Sequence, residues 1–184
     1  QSGNTNLITS SSVTQFSDNI VENNQSNKLL YFTNLDSLDM YANILDTNQT
    51  RSDLIEITGN SLEITNNVID ENANVPGYNG GSAIYISDQD GQSRIEENQI
   101  TYHNGYQDGG GIYVYNGVGL QINGNIISHN EVTDQGGGIY IYNGIVSIVN
   151  NTLTSNTSNS GSAVYISNGN IEIQENIITY NTGE

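Results

Sequence analysis

Apolar and polar positions repeat along the chain in one short pattern: an asparagine, any residue, an aliphatic residue, two more residues and then usually a second asparagine. The copies begin at Asn19, Asn43, Asn67, Asn98, Asn125, Asn151 and Asn176. These leading asparagines are separated by 24, 24, 31, 27, 26 and 25 residues. A period of this size is typical of a repeat protein whose successive structural units stack on one another.

Two further segments of each repeat alternate apolar and polar residues, as β-strands with one buried face do. The first follows small residues and covers residues 81–86, 109–114, 136–141 and 161–166. The second covers residues 38–40, 62–64, 120–122, 146–148 and 171–173. No helical periodicity occurs, so each repeat predicts three short strands.

Three strands in a repeat of about 25 residues predict a solenoid whose coils stack at the interstrand distance of about 4.8 Å. We therefore predict an all-β parallel β-helix of about seven coils, with residues 1–184 forming a single domain. Equivalent residues should lie above one another, so that the aliphatic columns form the core.

The seven leading asparagines are predicted to form a ladder at a sharp turn between strands. Asparagine tolerates the left-handed conformation, and its amide can bond to the coils above and below. A buried amide is acceptable only when it is hydrogen-bonded, and a ladder satisfies every internal rung. The small residues before the Ile-Tyr segments should allow the backbone to turn and stack closely.

The Gly-Gly-Gly-Ile-Tyr segments that begin at Gly109 and Gly136, together with the Ile-x-x-Asn elements, resemble known β-helix repeats. They are similar to repeats of the pectate-lyase-like superfamily and of polymorphic outer-membrane and other bacterial surface adhesins. The resemblance extends over nearly the whole chain, most clearly from Asn43 to Asn181. It implies a right-handed helix, and it leaves function open because such repeats serve enzymes, adhesins and fibres.

The chain carries a formal net charge of -17, with Lys28, Arg51 and Arg94 as its only Lys and Arg residues. Such a surface repels nucleic acid and anionic lipid, so DNA and RNA are not expected partners. No run approaches the ~20 apolar residues that span a bilayer. Gln1 is compatible with a mature terminus after removal of a leader, and we expect an extracellular or cell-surface location.

One column of equivalent positions contains Glu22, Asp46 and Asp70. Stacked coils would bring adjacent carboxyl groups roughly 5 Å apart, as in a retaining glycoside hydrolase. The same column continues with Thr and Ser, so a solvated polar face explains it equally well. Lyase chemistry is disfavoured because the few basic residues are scattered. We expect a noncatalytic protein, with a carbohydrate-binding or polysaccharide-degrading protein as the alternative.

Metal and cofactor motifs are weak in this sequence. Asp88 and Asp90 resemble the start of a calcium loop, but the spacing to later acids does not fit an EF-hand. His103 and His129 fall near equivalent places in adjacent coils and are expected on the surface. Two imidazoles without a third ligand make a poor metal site, so no metal or cofactor is expected.

Tyrosines between inward aliphatic residues are the best candidates for recognition, because strand alternation points them outward. They are Tyr85, Tyr113, Tyr115, Tyr140, Tyr142 and Tyr165, with Tyr31 in an earlier coil. Three interpretations stay open: mutual packing that supports the sheet, assembly with another subunit, and binding of surface glycans.

Open coil edges favour association, so the chain is expected to be either a segment of a longer solenoid or the subunit of a head-to-tail fibre. The favoured function is accordingly a surface filament or a segment of a surface adhesin. Asn-x-Ser/Thr sequons at Asn24, Asn48, Asn150 and Asn156 add possible glycosylation sites.

Overall fold

The computed structural model describes residues 6–12, 14–78, 80–88 and 92–183, and these form 23 short strands without a helix. The strands, numbered β1 to β23 in chain order, pair in parallel, each with its equivalents in the adjacent coils. Three principal strands per coil and seven coils confirm the predicted β-helix. No helical segment in these described ranges has the length and apolar character needed to pass through a bilayer.

Each side of the solenoid is one column of strands. The first sheet contains β1 (Ile8–Ser10), β5 (Leu30–Leu35), β9 (Ile55–Gly59), β13 (Ile84–Asp88), the beginning of β16 (Ile112–Asn123), β18 (Ile139–Ile141) and β21 (Val164–Ile166). The second contains β2 (Gln15–Ser17), β6 (Leu38–Tyr41), β10 (Leu62–Thr65), β14 (Arg94–Glu96), the end of β16, β19 (Gly144–Val149) and β22 (Asn170–Gln174). The third contains β3 (Ile20–Glu22), β7 (Ile44–Asp46), β11 (Val68–Asp70), β15 (Gln99–Thr101), β17 (Ile126–Ser128), β20 (Thr152–Thr154) and β23 (Ile177–Thr179).

Two features of this topology were absent from the sequence prediction. A short fourth sheet joins β4 (Gln25–Ser26), β8 (Gln49–Thr50) and β12 (Ala73–Asn74). In the fifth coil, β16 runs through the corner without a break and pairs with β13 and β18 in the first sheet and with β14 and β19 in the second. The first two sheets are therefore joined into one 13-stranded sheet.

The core consists of aliphatic columns that the parallel register places directly over one another. One column is Leu45, Ile69, Ile100, Ile127 and Leu153, all fully buried. Burial of each such side chain stabilises the fold by about 1.5–3 kcal/mol. The triple glycines fit this packing, because a Cβ at Gly111 would lie 2.6 Å from the carbonyl oxygen of Gly138.

The asparagine ladder is confirmed in all seven predicted rungs, from Asn19 to Asn176. Asn67 shows the repeated geometry, because its backbone N–H and its Nδ2 both donate to Oδ1 of Asn98 at 2.9 Å. Its Nδ2 also donates to the carbonyl of Met40 in the preceding coil at 2.9 Å. Each amide thus connects coils in both directions.

The left-handed residues of these turns are not the ladder asparagines, so the predicted conformation of the asparagines is wrong. The residue immediately before each rung adopts positive φ, as at Ala42 (54°) and Glu97 (55°). This arrangement leaves the ladder asparagine free to point its amide inward while its neighbour makes the turn. The turn position accepts several residue types because its side chain lies at the surface.

A second ladder lies one turn further along each coil and was not predicted. It contains Asn24, Asn48, Asn72, Asn130, Asn156 and Asn181, with the same donation to the next Oδ1 wherever an asparagine follows. His103 occupies the fourth rung and donates its backbone N–H to Oδ1 of Asn130 at 3.0 Å. In this coil the ladder therefore keeps the backbone hydrogen bond to the next rung but lacks the side-chain amide.

His103 is buried, which makes the predicted surface location wrong. Neither ring nitrogen has a hydrogen-bond partner of good geometry. Burial lowers the pKa of the imidazole to about 4, although the backbone carbonyls of Gly81 and Asn72 favour the charged form. The two histidines are not equivalent, because the register aligns His103 with Asn130 and His129 with Tyr102.

Replacement of one internal rung should strongly destabilise the protein. In Asn67→Ala the carbonyl of Met40 and the backbone N–H of Asn43 each lose a partner in the dry interior, while Nδ2 of Asn43 keeps its bonds to Phe16 and Tyr41. A loss of about 2–4 kcal/mol is expected, since each unmet buried group costs ~1–3 kcal/mol. Urea unfolding measures it. The exposed Asn168, which bonds to Asn143 on the surface, provides the control, and Asn168→Ala should lie near the parent.

Acid should destabilise the folded chain through His103. Above its ordinary pKa of 6.5 the ring is neutral in both states. As the pH falls below that value the unfolded chain binds a proton that the folded chain rejects, so stability decreases until the pH reaches about 4. The change amounts to about 3 kcal/mol.

Replacing this histidine tests the assignment, because an asparagine at the same position would complete the second ladder. H103N should be more stable than the parent at every pH, and the difference should grow between pH 6.5 and 4. Denaturant unfolding at several pH values measures both. H129N, in which an exposed imidazole outside the ladder is replaced, is the control and should not reproduce the stabilisation expected of H103N. Equal pH profiles for the parent and H103N would contradict the assignment.

Candidate functional site

Four of the predicted tyrosines form a single column on the outer face of the first sheet. Parallel register aligns Tyr85 with Tyr113, Tyr113 with Tyr140, and Tyr140 with Tyr165. Successive ring centroids are separated by 5.2, 4.8 and 5.4 Å. Their mutual coverage is extensive, because Tyr140 is only 6% exposed. Along this inner column the tyrosines therefore pack on one another, as the first of the three interpretations expected.

Tyr115 and Tyr142 form an outer pair beside the inner column. Their ring centroids lie 5.3 Å apart with an interplanar angle of 1°. Tyr85 connects the two groups, since its ring lies 6.2 Å from that of Tyr115. The inner column and the outer pair together form what we call the tyrosine surface. The residues of the outer pair are 42% and 46% exposed, so they are its accessible part.

Tyr31 does not join the stack, although it occupies the same column. Glu56 lies between it and Tyr85 in the register. Lys28 forms an ion pair with Glu56 and lies 4.5 Å from the centroid of the Tyr31 ring. The tyrosine surface therefore begins at Tyr85.

An acidic pocket opens at the base of the inner tyrosine column. It has a volume of about 180 Å³ and is lined by Asp53, Gly81, Tyr85, Gln107, Asp108 and Tyr113. A shallower depression of about 370 Å³ shares Asp108 and extends past Asp134, Gln135, Asn159 and Ser160. Carboxyl, amide and phenol groups thus follow one side of the solenoid over several coils.

The pocket carboxylates are held by neighbouring coils. Asp53 accepts hydrogen bonds from the backbone N–H and the hydroxyl of Ser82 at 3.0 and 2.6 Å. Asp108 accepts one from the backbone N–H of Gln135 at 3.0 Å. Burial raises the pKa of the Asp108 carboxyl, the bond from Gln135 opposes that change, and the nearby charge of Asp134 adds to it.

The phenols beside the pocket are held in the protonated form. Burial, followed by the charges of Glu56 and Asp53, raises the pKa of Tyr85 to about 12. Burial likewise raises the pKa of Tyr113, with smaller contributions from Tyr140 and Asp108. These phenols can donate hydrogen bonds at neutral pH, and the carboxylates can accept them.

This arrangement suits a neutral, hydroxyl-rich ligand better than a flat aromatic one. Stacking covers the faces of the inner rings, so their edges, the phenol groups and the pocket side chains are what a ligand would contact. Sequence reasoning missed Asp53 and Asp108. For Asp108 the available signal was an aspartate directly before Gly109–Gly111; Asp134 lies one position further from Gly136–Gly138, with Gln135 between them.

The predicted acidic column does form, on the third sheet. Register aligns Glu22 with Asp46 and Asp46 with Asp70. The next member, Thr101, donates its hydroxyl to Asp70. One oxygen of Asp46 is buried without a hydrogen-bond partner. The column lies on the third sheet, whereas the tyrosines and the pocket lie on the first, so the structure does not bring these two groups together.

Of the two aspartates in the predicted calcium motif, only Asp88 lies within the described residues. Asp88 is buried and accepts a hydrogen bond from the Ser93 hydroxyl at 2.7 Å, and Ser93 in turn accepts the backbone N–H of Leu62 at 2.9 Å. Asp90 lies outside the described residues. Over the described part of the chain, no three His, Cys, Asp or Glu residues group closely enough to hold a metal ion. Asp88 thus connects the end of β13 to Ser93, the residue before β14.

The four predicted glycosylation sequons differ in burial, because some of their asparagines are rungs of the second ladder. Nδ2 of Asn48 is buried and donates to Val21 and Asn72, and that of Asn156 is buried and donates to Ile127 and Asn181.

The prediction of glycosylation at Asn48 and Asn156 is therefore wrong for the folded chain, because their amide nitrogens are buried. Nδ2 of Asn24 is also engaged, in bonds to Glu22 and Asn48. Asn150 is exposed, and there the modification stays a prediction.

Comparison with known proteins supports the fold. Residues 52–184 match the family model described as the right-handed β-helix region. Neither the curated proteins nor the solved structures contain a match. The matched segment extends over well more than half of the chain and coincides with coils whose ladders and sheets are in register. The chain belongs to the right-handed parallel β-helix family.

Proposed function

We propose that the chain is a noncatalytic structural protein of the cell exterior, either a subunit of a head-to-tail surface filament or a segment of a surface adhesin. The observation that carries this proposal is the unbroken register of the first asparagine ladder over seven coils. A stack held in this way is a rigid rod that presents the same outward positions at a constant spacing.

The ladders also support end-to-end stacking, because they have a direction. Each rung donates to Oδ1 of the next coil, as Asn151 does to Asn176 at 3.0 Å. A further coil from another copy or from the same chain would therefore extend the ladder in the same register. Ile178 continues the core column of Leu153 and is 47% exposed, so an added coil would also bury apolar surface.

Assembly through this coil face should depend on its apolar character. In Ile178→Lys an added coil would have to bury an unpaired charge, so particles should remain monomeric where the parent chain associates with increasing concentration. Analytical ultracentrifugation and electron microscopy measure the result.

The exposed Ile145 on β19, a strand that has a paired neighbour on both sides, supplies a matched control, and Ile145→Lys should associate like the parent. A parent chain that stays monomeric at high concentration would contradict the filament form of the proposal. Equal association of all three proteins would place the contact elsewhere.

A second candidate function is carbohydrate binding, with polysaccharide hydrolysis as its catalytic form. It is favoured by the pocket in which Asp53, Gln107 and Asp108 adjoin two protonated phenols. Pockets with a few converging polar groups are the common form of ligand sites. Because this chain is strongly acidic, a neutral glycan is a better partner than an acidic one.

Replacement of pocket groups should weaken glycan binding without unfolding the chain. For a neutral oligosaccharide identified on a glycan array, Asp108→Asn should bind about tenfold more weakly, since a charged hydrogen bond contributes ~1.5–3 kcal/mol. Calorimetry measures the affinity, and a reducing-sugar assay tests for hydrolysis. Asp46→Asn, on the third sheet, is the control and should bind normally. Equal loss in both variants would contradict a site at this pocket.

A further inference from the structure

We propose that Tyr115 and Tyr142 are the site of an oxidative cross-link, a carbon–carbon bond between their phenol rings that joins two adjacent coils. The two rings are already parallel and stacked, with centroids 5.3 Å apart. Both lie on the accessible edge of the tyrosine surface, with 42% and 46% of their areas exposed.

Exposure decides which pair can react. A biaryl bond forms between the ring carbons adjacent to the two hydroxyl-bearing carbons, so stacked rings must rotate about their side-chain torsions before they join. The outer rings have solvent on one side and can rotate. Tyr113 and Tyr140 lie closer together, at 4.8 Å, but Tyr140 is only 6% exposed and is packed between Tyr113 and Tyr165.

The inner column would direct oxidation toward the outer pair. Six rings form a continuous series, with successive centroid distances of 5.4, 4.8, 5.2, 6.2 and 5.3 Å from Tyr165 to Tyr142. A radical formed on any of these rings can exchange an electron with the next, because adjacent rings are nearly in contact. The radical leaves the series only where two rings can couple, and that place is the exposed pair.

The reaction balances with a peroxide as the oxidant. Each phenol loses one electron and one proton to become a phenoxyl radical. The two radicals combine to form the carbon–carbon bond, and the coupled product then returns to the phenol form by moving the two ring hydrogens to oxygen. The two electrons and two protons reduce one hydrogen peroxide to two water molecules, with a haem peroxidase as the one-electron carrier.

The product would be a covalent cross-link between two neighbouring coils. Tyr115 lies on β16 and Tyr142 follows β18, which are paired strands of consecutive coils. Because the two strands are already in register, the link fixes an arrangement that the fold has formed. Separation of the fifth and sixth coils would then require a covalent bond to break.

Treatment of the dilute, folded full chain with hydrogen peroxide and a haem peroxidase tests the proposal. The expected result is a monomer that has lost two hydrogen atoms, shows dityrosine fluorescence and yields one linked peptide pair containing Tyr115 and Tyr142. Tyr115→Phe and Tyr142→Phe should each lose this peptide, while their circular dichroism stays that of the parent, because phenylalanine preserves the stack.

Tyr180→Phe provides the matched control, since this ring is 84% exposed and belongs to neither stack. It should form the Tyr115–Tyr142 link as the parent does. A link mapped to Tyr113 and Tyr140, or coupling that occurs only between molecules, would overturn the proposal. Formation of an intramolecular dityrosine in Tyr115→Phe to the same extent as in the parent would also overturn it.

Discussion

The fold depends on the satisfaction of buried amide groups at two corners that recur from coil to coil, with His103 as the exception in the second ladder. At each corner the backbone leaves the regular hydrogen bonding of the parallel sheets. Without side-chain partners, the polar backbone groups at the corner would be buried and unpaired. Asparagine solves this because its side chain carries two donors and an acceptor, which bond to both neighbouring coils at once. Each rung requires the next in register, so the amides fix the alignment that also stacks the aliphatic core.

The periodic asparagines and the period-2 alternation are sufficient to predict the three principal strand columns, the coil number and the first ladder, because the same residue types recur at equivalent positions. The second ladder was visible in the pattern but was not recognised, since His103 and a one-residue shift at Asn104 hid its continuity. The left-handed turns were assigned to the wrong residue for a related reason. Their side chains face solvent, so no single residue type marks them, and Ala42, Glu97 and Tyr102 all serve.

The candidate site shows where local sequence stops being informative. Outward tyrosines were predictable from strand alternation, but their division into a covered column and an exposed pair depends on packing between coils. The pocket depends on residues from three coils, and Asp53, Gln107 and Asp108 do not share one repeat position. Charge on this side also affects the phenols, because burial and nearby carboxylates keep Tyr85 protonated. Rigid ladders and a chemically distinct surface are therefore separable properties of the same repeat.

The unbroken strand β16 has a mechanical consequence. In the other coils the first and second sheets are formed by separate strands, such as β5 and β6 or β9 and β10. In the fifth coil one strand carries hydrogen bonds to neighbours in both sheets. A tensile or twisting load on either sheet is therefore transmitted to the other at the fifth coil along one continuous backbone strand.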